Sequence, residues 1–316
     1  LIQHETAKRS RFILKMRPAH VILLSGTPTG GKYENLWSQM RLLGWKISKS
    51  TYWNQYIDVG HLEFGGRSIP IVVGYKRVDR LKAKMAEHGC RFLKTEEVMD
   101  LPEQTFTNVY CKTSKEYRTF RKRRLVTLGG HWVDYCDESG HMQREFRGGT
   151  ELVGDTSLTQ MLYERQLCGM YSKEKLDAFR DLLESTEDRL VVFYNFSEEW
   201  HLMGAITDEM GRHRSVINGD HKSLYNYENY DDTVTFVQYQ AGAMGINLQL
   251  SNKVVYFSLP LSSELFEQSK KRIHRIGQER PCFYYIMMCR NSIEERILRT
   301  LEMRQDYTEK LFEKEG

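Results

Sequence analysis

From Ser172 onward, short continuous apolar runs alternate with stretches whose apolar residues recur every three or four positions. The runs Val191–Phe196, Ser215–Ile217, Thr233–Val237, Val254–Phe257 and Phe283–Met288 are rich in β-branched and aromatic residues and too short for helices. They predict strands buried on both faces. Between them Ser172 stands as an N-cap before a helix with Leu176, Phe179, Leu182 and Leu183 on one side, and a second helix starts at Ser197. Ser292-Ile-Glu-Glu295 reads as a capping box opening a long closing helix, packed through Ile293, Ile297, Leu298 and Leu301. Strand and helix in alternation predict an α/β fold: a parallel sheet covered on both faces, with its active loops at the strand C-terminal ends.

The first half is less regular. A starting helix, a buried strand at Val21–Leu24 and a helix through Leu36, Met40, Leu42 and Leu43 come first. A polar, aromatic stretch from Tyr52 to Gly66 leads to a strand at Ile69–Val73 and a helix over Asp79–Glu87, and Asp100-Leu-Pro102 turns the chain. From Ser114 to about Gly169 the text is charged and Gly-punctuated, which predicts a helical pair joined by an exposed loop around Gly129–Gly154.

A chain of 316 residues and 37.3 kDa accommodates two domains, each with its own core. No apolar run approaches the ~18 residues that cross a bilayer, so a membrane partner is not expected. The cysteines at 90, 111, 136, 168, 282 and 289 form no CxxC pair and are read as reduced. His131-x4-Cys136-x4-His141 lacks a fourth ligand at zinc spacing, so no metal is assigned to it. The net charge of +4 is mild, but its distribution is not: Arg118, Arg121, Lys122, Arg123 and Arg124 cluster, as do Lys270, Lys271 and Arg272. Each patch is either a solvated face or a set of phosphate contacts.

Candidate chemistry concentrates in Gln268–Gln278, QSKKRIHRIGQ. With Ser262 and Ser263 as N-caps, a helix here places Gln268, Arg272 and Arg275 at i, i+4 and i+7 on one face. Two guanidiniums pointing one way suit a polyphosphate, whose transferring group gathers negative charge. Upstream, Gln240-Ala-Gly-Ala-Met-Gly-Ile-Asn-Leu248 forms a Gly-containing loop between two strand runs, and Val21-Ile-Leu-Leu-Ser-Gly-Thr-Pro-Thr29 is an apolar run entering a polar turn.

In this order the three segments resemble motifs III, V and VI of superfamily-2 helicases, closest to the Swi/Snf-like branch of DNA-translocating ATPases. That branch carries a Ser-Gly-Thr-Pro turn, an Ala-Gly-Gly-x-Gly-Ile-Asn-Leu loop and a terminal His-Arg-Ile-Gly-Gln, here His274–Gln278. Phe92–Pro102, Leu162–Cys168 and Val191–Phe196 are weaker echoes. The resemblance implies RecA-like parallel sheets in two lobes. Residues 1–110 would be the remnant of an incomplete first lobe with its brace, 111–171 a short helical protrusion, and 172–316 the whole second lobe. It implies ATP with Mg2+ in a cleft, Arg272 and Arg275 as fingers on the γ-phosphoryl group, and Gly245 and Gln268 lining the nucleotide side. Ser25 and Thr27 would couple hydrolysis to DNA contacts. Duplex DNA is the implied partner of a monomeric motor, cytoplasmic if bacterial or viral and nuclear if eukaryotic, with Arg121, Arg123 and Arg124 on its backbone. Where the family has Ser-Thr-Lys before the Ala-Gly of motif V, this chain has Gln238-Tyr239-Gln240, assigned here to DNA.

A motor of this family binds ATP through a Gly-Lys-Ser/Thr loop and holds magnesium with an Asp-Glu pair, and neither precedes Ser25 here. Gly26-Thr-Pro-Thr-Gly-Gly-Lys32 has phosphate-loop spacing, but Tyr33 replaces the hydroxyl residue and Pro28 lacks an N–H. Asp137-Glu138-Ser139 lies among Gly and polar residues with no strand of four apolar residues in front of it and is read as loop. The expectation is the C-terminal part of a motor, inactive without the missing N-terminal part of the first lobe. The competing readings are a scaffold built from a degenerate motor and the motor of a restriction or nuclease system.

Overall fold

The computed structural model describes residues 7–16, 18–26, 28–64, 67–93, 100–129, 131–136, 142–242 and 245–312. These divide into two compact units, one of Leu1–Asp100, Ser262–Gln268 and Thr300–Gly316, the other of Leu101–Leu261 and Ser269–Arg299.

In the first unit, α1 (Lys8–Lys15) and α2 (Leu36–Leu42) are followed by α3 (Lys49–Tyr56), whose N-terminus is capped where the Thr51 amide donates to the Ser48 hydroxyl. An antiparallel hairpin of β1 (Ile57–Phe64) and β2 (Arg67–Tyr75) leads to α4 (Val78–Glu87). Tyr33, Leu36, Met40, Tyr52, Tyr56, Leu81 and Met85 form its core. The expected strand at Val21–Leu24 is overturned. That run is extended without strand pairing, and Ile22 and Leu24 are 84% and 90% exposed. Among the described residues of this unit the only sheet is β1 with β2, so no third strand offers the run a ladder.

The second unit is built on β3 (Gln104–Cys111). Next come α5 (Lys115–Arg123), β4 (Leu125–Leu128), β5 (His131–Cys136), β6 (Met142–Arg147), β7 (Thr150–Val153), α6 (Ser157–Met170) and α7 (Lys173–Glu184). The alternating stretch supplies β8 (Leu190–Tyr194), α8 (Ser197–Glu209), β9 (Arg214–Ile217), α9 (Tyr225–Asn229), β10 (Val234–Gln238), α10 (Tyr239–Gly242), β11 (Lys253–Tyr256) and β12 (Cys282–Cys289), while α11 (Ser263–Lys270) belongs to the first unit up to Gln268 and α12 (Ile293–Phe312) belongs to it from Thr300. Six strands pair in the order β3-β12-β11-β8-β10-β9, every pair parallel, giving the expected parallel sheet of an α/β fold. Between α5 and α6 the expected loop is instead two short antiparallel pairs, β4 with β7 and β5 with β6, so the protrusion is not purely helical. Val126, Leu128 and Leu152 alternate with exposed neighbours there, a two-residue period that glycines at both ends obscure.

Alternation sorts the strand side chains onto two faces. Leu190, Val192 and Tyr194 of β8 face Phe179 and Leu183 of α7 and Met203 and Ile206 of α8. On the opposite face the rings of Tyr239, Phe193, Tyr256, Tyr284 and Phe106 follow one another across the sheet, with successive centroids 5.2, 5.7, 6.3 and 4.5 Å apart. Two of these rings reach the segment that follows β11. The Ser269 hydroxyl bonds to the Tyr256 hydroxyl at 3.0 Å, and the Tyr284 hydroxyl donates to the Lys270 carbonyl at 3.0 Å. The expected capping box at the start of α12 is not formed as a box. Ser292 Oγ donates to the Cys289 carbonyl, the Glu294 amide donates to Ser292 Oγ, and the Glu294 carboxylate turns inward.

Candidate functional site

The arginine segment departs from its expected helix. α11 ends at Lys270, and Arg272 and Arg275 lie in the turns that follow, so no continuous helical face carries Gln268, Arg272 and Arg275. The helix stops because its last groups find tertiary partners. The Tyr284 phenol bonds to the Lys270 carbonyl, the Leu248 amide donates to the Arg272 carbonyl at 3.1 Å, and Ile273 is buried. His274 and Gln278 serve as anchors, with the His274 ring Nε2 2.9 Å from the Pro102 carbonyl. The buried Gln278 amide donates to the carbonyls of Gln249 (3.1 Å), Ser251 (2.8 Å) and Ile273 (3.4 Å).

Between these anchors each of the two arginines feels the other's charge. Burial, and then the positive charge of Arg275, push the Arg272 guanidinium below its ordinary value. Among the described residues no side chain bonds to or pairs with Arg272, and Arg275 donates from Nη1 to the neutral amide oxygen of Asn247. A half-buried cation beside a second cation, neither neutralised by a carboxylate, is costly unless an anion joins them.

The remaining expected site residues are scattered. Gly245 has φ +76°, which disfavours any side chain, and its Cβ position meets open space. Gln268 belongs to the first unit and donates to Glu264 one turn earlier at 3.2 Å. Ser25 is exposed in that unit, and Thr27 lies outside the described residues. Of the three residues after the Val234–Val237 run, Tyr239 must be corrected. Its ring is 2% exposed, its hydroxyl donates to the Ser258 carbonyl at 3.0 Å, and burial raises its phenol far above the ordinary value. It is a rung of the aromatic face, not a surface contact. Gln238 donates to the Asn195 carbonyl at 3.3 Å, and Gln240 is exposed.

All six strands end on one edge, and two polar regions occupy it. At β10 sits Gln240. Beside it, because Val237 pairs with Ile217, lies the turn Asn218–Lys222 with exposed His221 and Lys222. Sequence reasoning passed over that turn, although Asn-Gly-Asp at the end of a strand marks one. Toward β12, exposed Arg121, Arg123 and Arg124 close α5, and Arg121 donates to the Asn291 carbonyl just past β12. From β12 to β10 is three strand spacings, roughly 14 Å.

Two further places bear on cofactors. The Gly26–Lys32 turn spends its amides on itself: Gly31 donates to Thr29 Oγ1 and Lys32 to the Thr29 carbonyl, each at 3.1 Å. Tyr33 is buried against the Tyr75 ring at 4.1 Å. That is a poor phosphate cradle, and the residue after Lys32 offers magnesium no Ser or Thr hydroxyl. Among the described residues Cys168, Cys289 and Glu294 bring three possible ligand atoms within 4.8 Å, but the Lys175 ammonium already sits 2.5 Å from Glu294, where it fills the cation's part. Neither place fits Mg2+, a hard cation that prefers oxygen ligands.

No family model matches the chain. Curated proteins match it over nearly its whole length. The DNA repair and recombination protein RAD26 of Saccharomyces cerevisiae is 24% identical over 332 residues, covering 94% of this chain and 29% of that protein. The SWI/SNF-related matrix-associated actin-dependent regulator of chromatin subfamily A member 1 of Mus musculus is 21% identical over 336 residues, 96% of this chain and 30% of that one. The ATP-dependent helicase brm of Drosophila melanogaster is 23% identical over 337 residues, 92% and 20%. The chain therefore spans under a third of the length of these relatives. Its Ser-Gly-Thr-Pro turn, Gly-Ile-Asn-Leu loop and His-Arg-Ile-Gly-Gln segment stand in the order of motifs III, V and VI, and over nearly its whole length the chain is similar to Swi/Snf-family ATP-dependent helicases.

Proposed function

We propose that these residues are part of an ATP-driven motor that moves on duplex DNA. The observation that carries the proposal is the pair Arg272 and Arg275, each within reach of the other's charge and, among the described residues, without a carboxylate to neutralise them. Such guanidiniums stabilise charge on a transferring phosphoryl group. In this reading Arg272 and Arg275 act on the γ-phosphoryl group of Mg2+-bound ATP, Gly245 lets the loop approach the nucleotide, and Gln268 contributes from α11. Ser25 and Thr27 couple hydrolysis to the DNA contacts. Neither the Gly26–Lys32 turn nor the Cys168, Cys289 and Glu294 cluster supplies the phosphate cradle or the metal ligands of such a motor. ATP hydrolysis by this chain alone is therefore expected to stay at background, with and without DNA. Turnover stimulated by DNA would overturn the assignment and return attention to Lys32.

The DNA backbone lies along the strand-end edge, touching Gln238, Gln240, Arg121, Arg123 and Arg124, with His221 and Lys222 beside them. If the three arginines each neutralise one phosphate, affinity falls about 40-fold between roughly 50 and 200 mM salt, from a slope near −0.9 per contact. Changing all three to Ala is expected to remove that part of the slope in a titration of a mixed-sequence duplex, with no change in sequence preference. An unchanged slope would make the patch a solvated face.

A further inference from the structure

The loop after β10 and the turn after α11 are joined at successive points. Asn247 accepts from Arg275, the Leu248 amide donates to the Arg272 carbonyl, and the Gln249 and Ser251 carbonyls accept from Gln278. Gly277 lets the two segments approach. It has φ +93°, and a Cβ there would come within 3.1 Å of Gln249 Nε2. Three of these joints fix backbone. Only the first reaches a guanidinium.

We propose that Asn247 is a positioning residue that aims the Arg275 guanidinium, an inference resting on the reading of Arg275 as a phosphoryl-group contact. The residue type matters. An amide oxygen takes one N–H of the fork and leaves the full positive charge and the remaining donors for an anion. A carboxylate at the same place would pair with the guanidinium and compete with phosphate. Asn247 is exposed and sits two residues after Gly245 on the loop that leaves the strand-end edge at Gln238. Movement of that loop therefore carries the aim of Arg275 with it, which links the proposed DNA edge to the proposed nucleotide contact through one side chain.

The experiment is a double-mutant cycle in the full-length protein, read as single-turnover ATP hydrolysis in the presence of duplex DNA. Asn247→Ala is expected to lower the rate constant about 10- to 100-fold, the usual penalty for misplacing a catalytic group by about an ångström, with nucleotide affinity changed less than about threefold. Asn247→Asp keeps the shape and the acceptor, so a merely structural role would survive it, yet the rate is expected to fall at least as far. In an Arg275→Ala background, Asn247→Ala should add nothing. An Asn247→Ala rate within about twofold of the parent beside an inactive Arg275→Ala, or effects of the two changes that multiply, would overturn the proposal alone. An Arg275→Ala protein that still turns over would overturn the reading beneath it. Melting temperatures of all variants separate both outcomes from a failure to fold, to which an exposed Asn should contribute little.

Discussion

In the full-length protein, Arg275→Ala is expected to lower the DNA-stimulated kcat for ATP by about 10³-fold or more, the range in which arginine fingers act. Arg272→Ala should do the same. Both side chains are partly open, and among the described residues neither pairs with a carboxylate, so their removal takes no described ion pair from the fold. Arg272 is half-buried beside Arg275, and losing one of two like charges relieves repulsion, so melting temperature should hold or rise slightly. Lys is expected to rescue poorly at either position, because it keeps the charge but loses the planar fork that grips two oxygens. The measurement is kcat beside nucleotide affinity and thermal melting for each variant. Turnover within about threefold of the parent, or losses that follow unfolding, would make these arginines structural.

Much of the second unit was legible because its strands are continuous apolar runs. Leu190–Tyr194, Val234–Gln238 and Lys253–Tyr256 are buried along nearly their whole length, and only central parallel strands make that demand. The edge strand escaped notice for the opposite reason. Gln104–Cys111 mixes Thr and Asn with Phe and Tyr because it pairs only with β12, leaving Phe106 and Tyr110 partly exposed. The hairpins of the protrusion hid among glycines and charges. Val21–Leu24 failed because burial of an apolar run needs a partner strand, and a sequence pattern cannot report whether one is there.

The site was legible as residues and illegible as geometry. Nothing between Ser263 and Ile276 breaks a helix, so local propensity extends it through Arg275. Contacts from Tyr284, more than ten residues later, and from Leu248, more than twenty earlier, end it at Lys270. The same long-range contacts set the backbone that carries Arg272 and Arg275 without the expected helical face. Asn247 stood inside the recognised loop yet carried no signal of its own. Its meaning lies in Arg275, far along the chain, and only the fold joins the two.

Glu294→Ala is expected to destabilise the protein by about 3–5 kcal/mol, the penalty for leaving a buried charge without its partner. Lys175 and Glu294 are 0% and 3% exposed and 2.5 Å apart. Burial, the largest single influence, pushes the Lys175 ammonium down, but the Glu294 carboxylate together with Cys289 and Cys168 holds it above the ordinary value. The Phe257 ring lies 5.0 Å from the ammonium. Glu294 also accepts from the Cys289 amide at 2.8 Å, so its loss leaves a second buried group unpaired at the junction of β12 and α12. Lys175→Met should cost less, since the flexible thioether fills the same channel and only the carboxylate is stranded, free to take up a proton. The double change to Met and Gln should recover much of the loss, because it removes both charges while the Gln amide oxygen can still take the Cys289 N–H. Urea denaturation of the four proteins closes the cycle. Single losses under about 1 kcal/mol, or a double variant as unstable as the sum of the singles, would mean that the pair is solvated or uncoupled and that something else secures the start of α12.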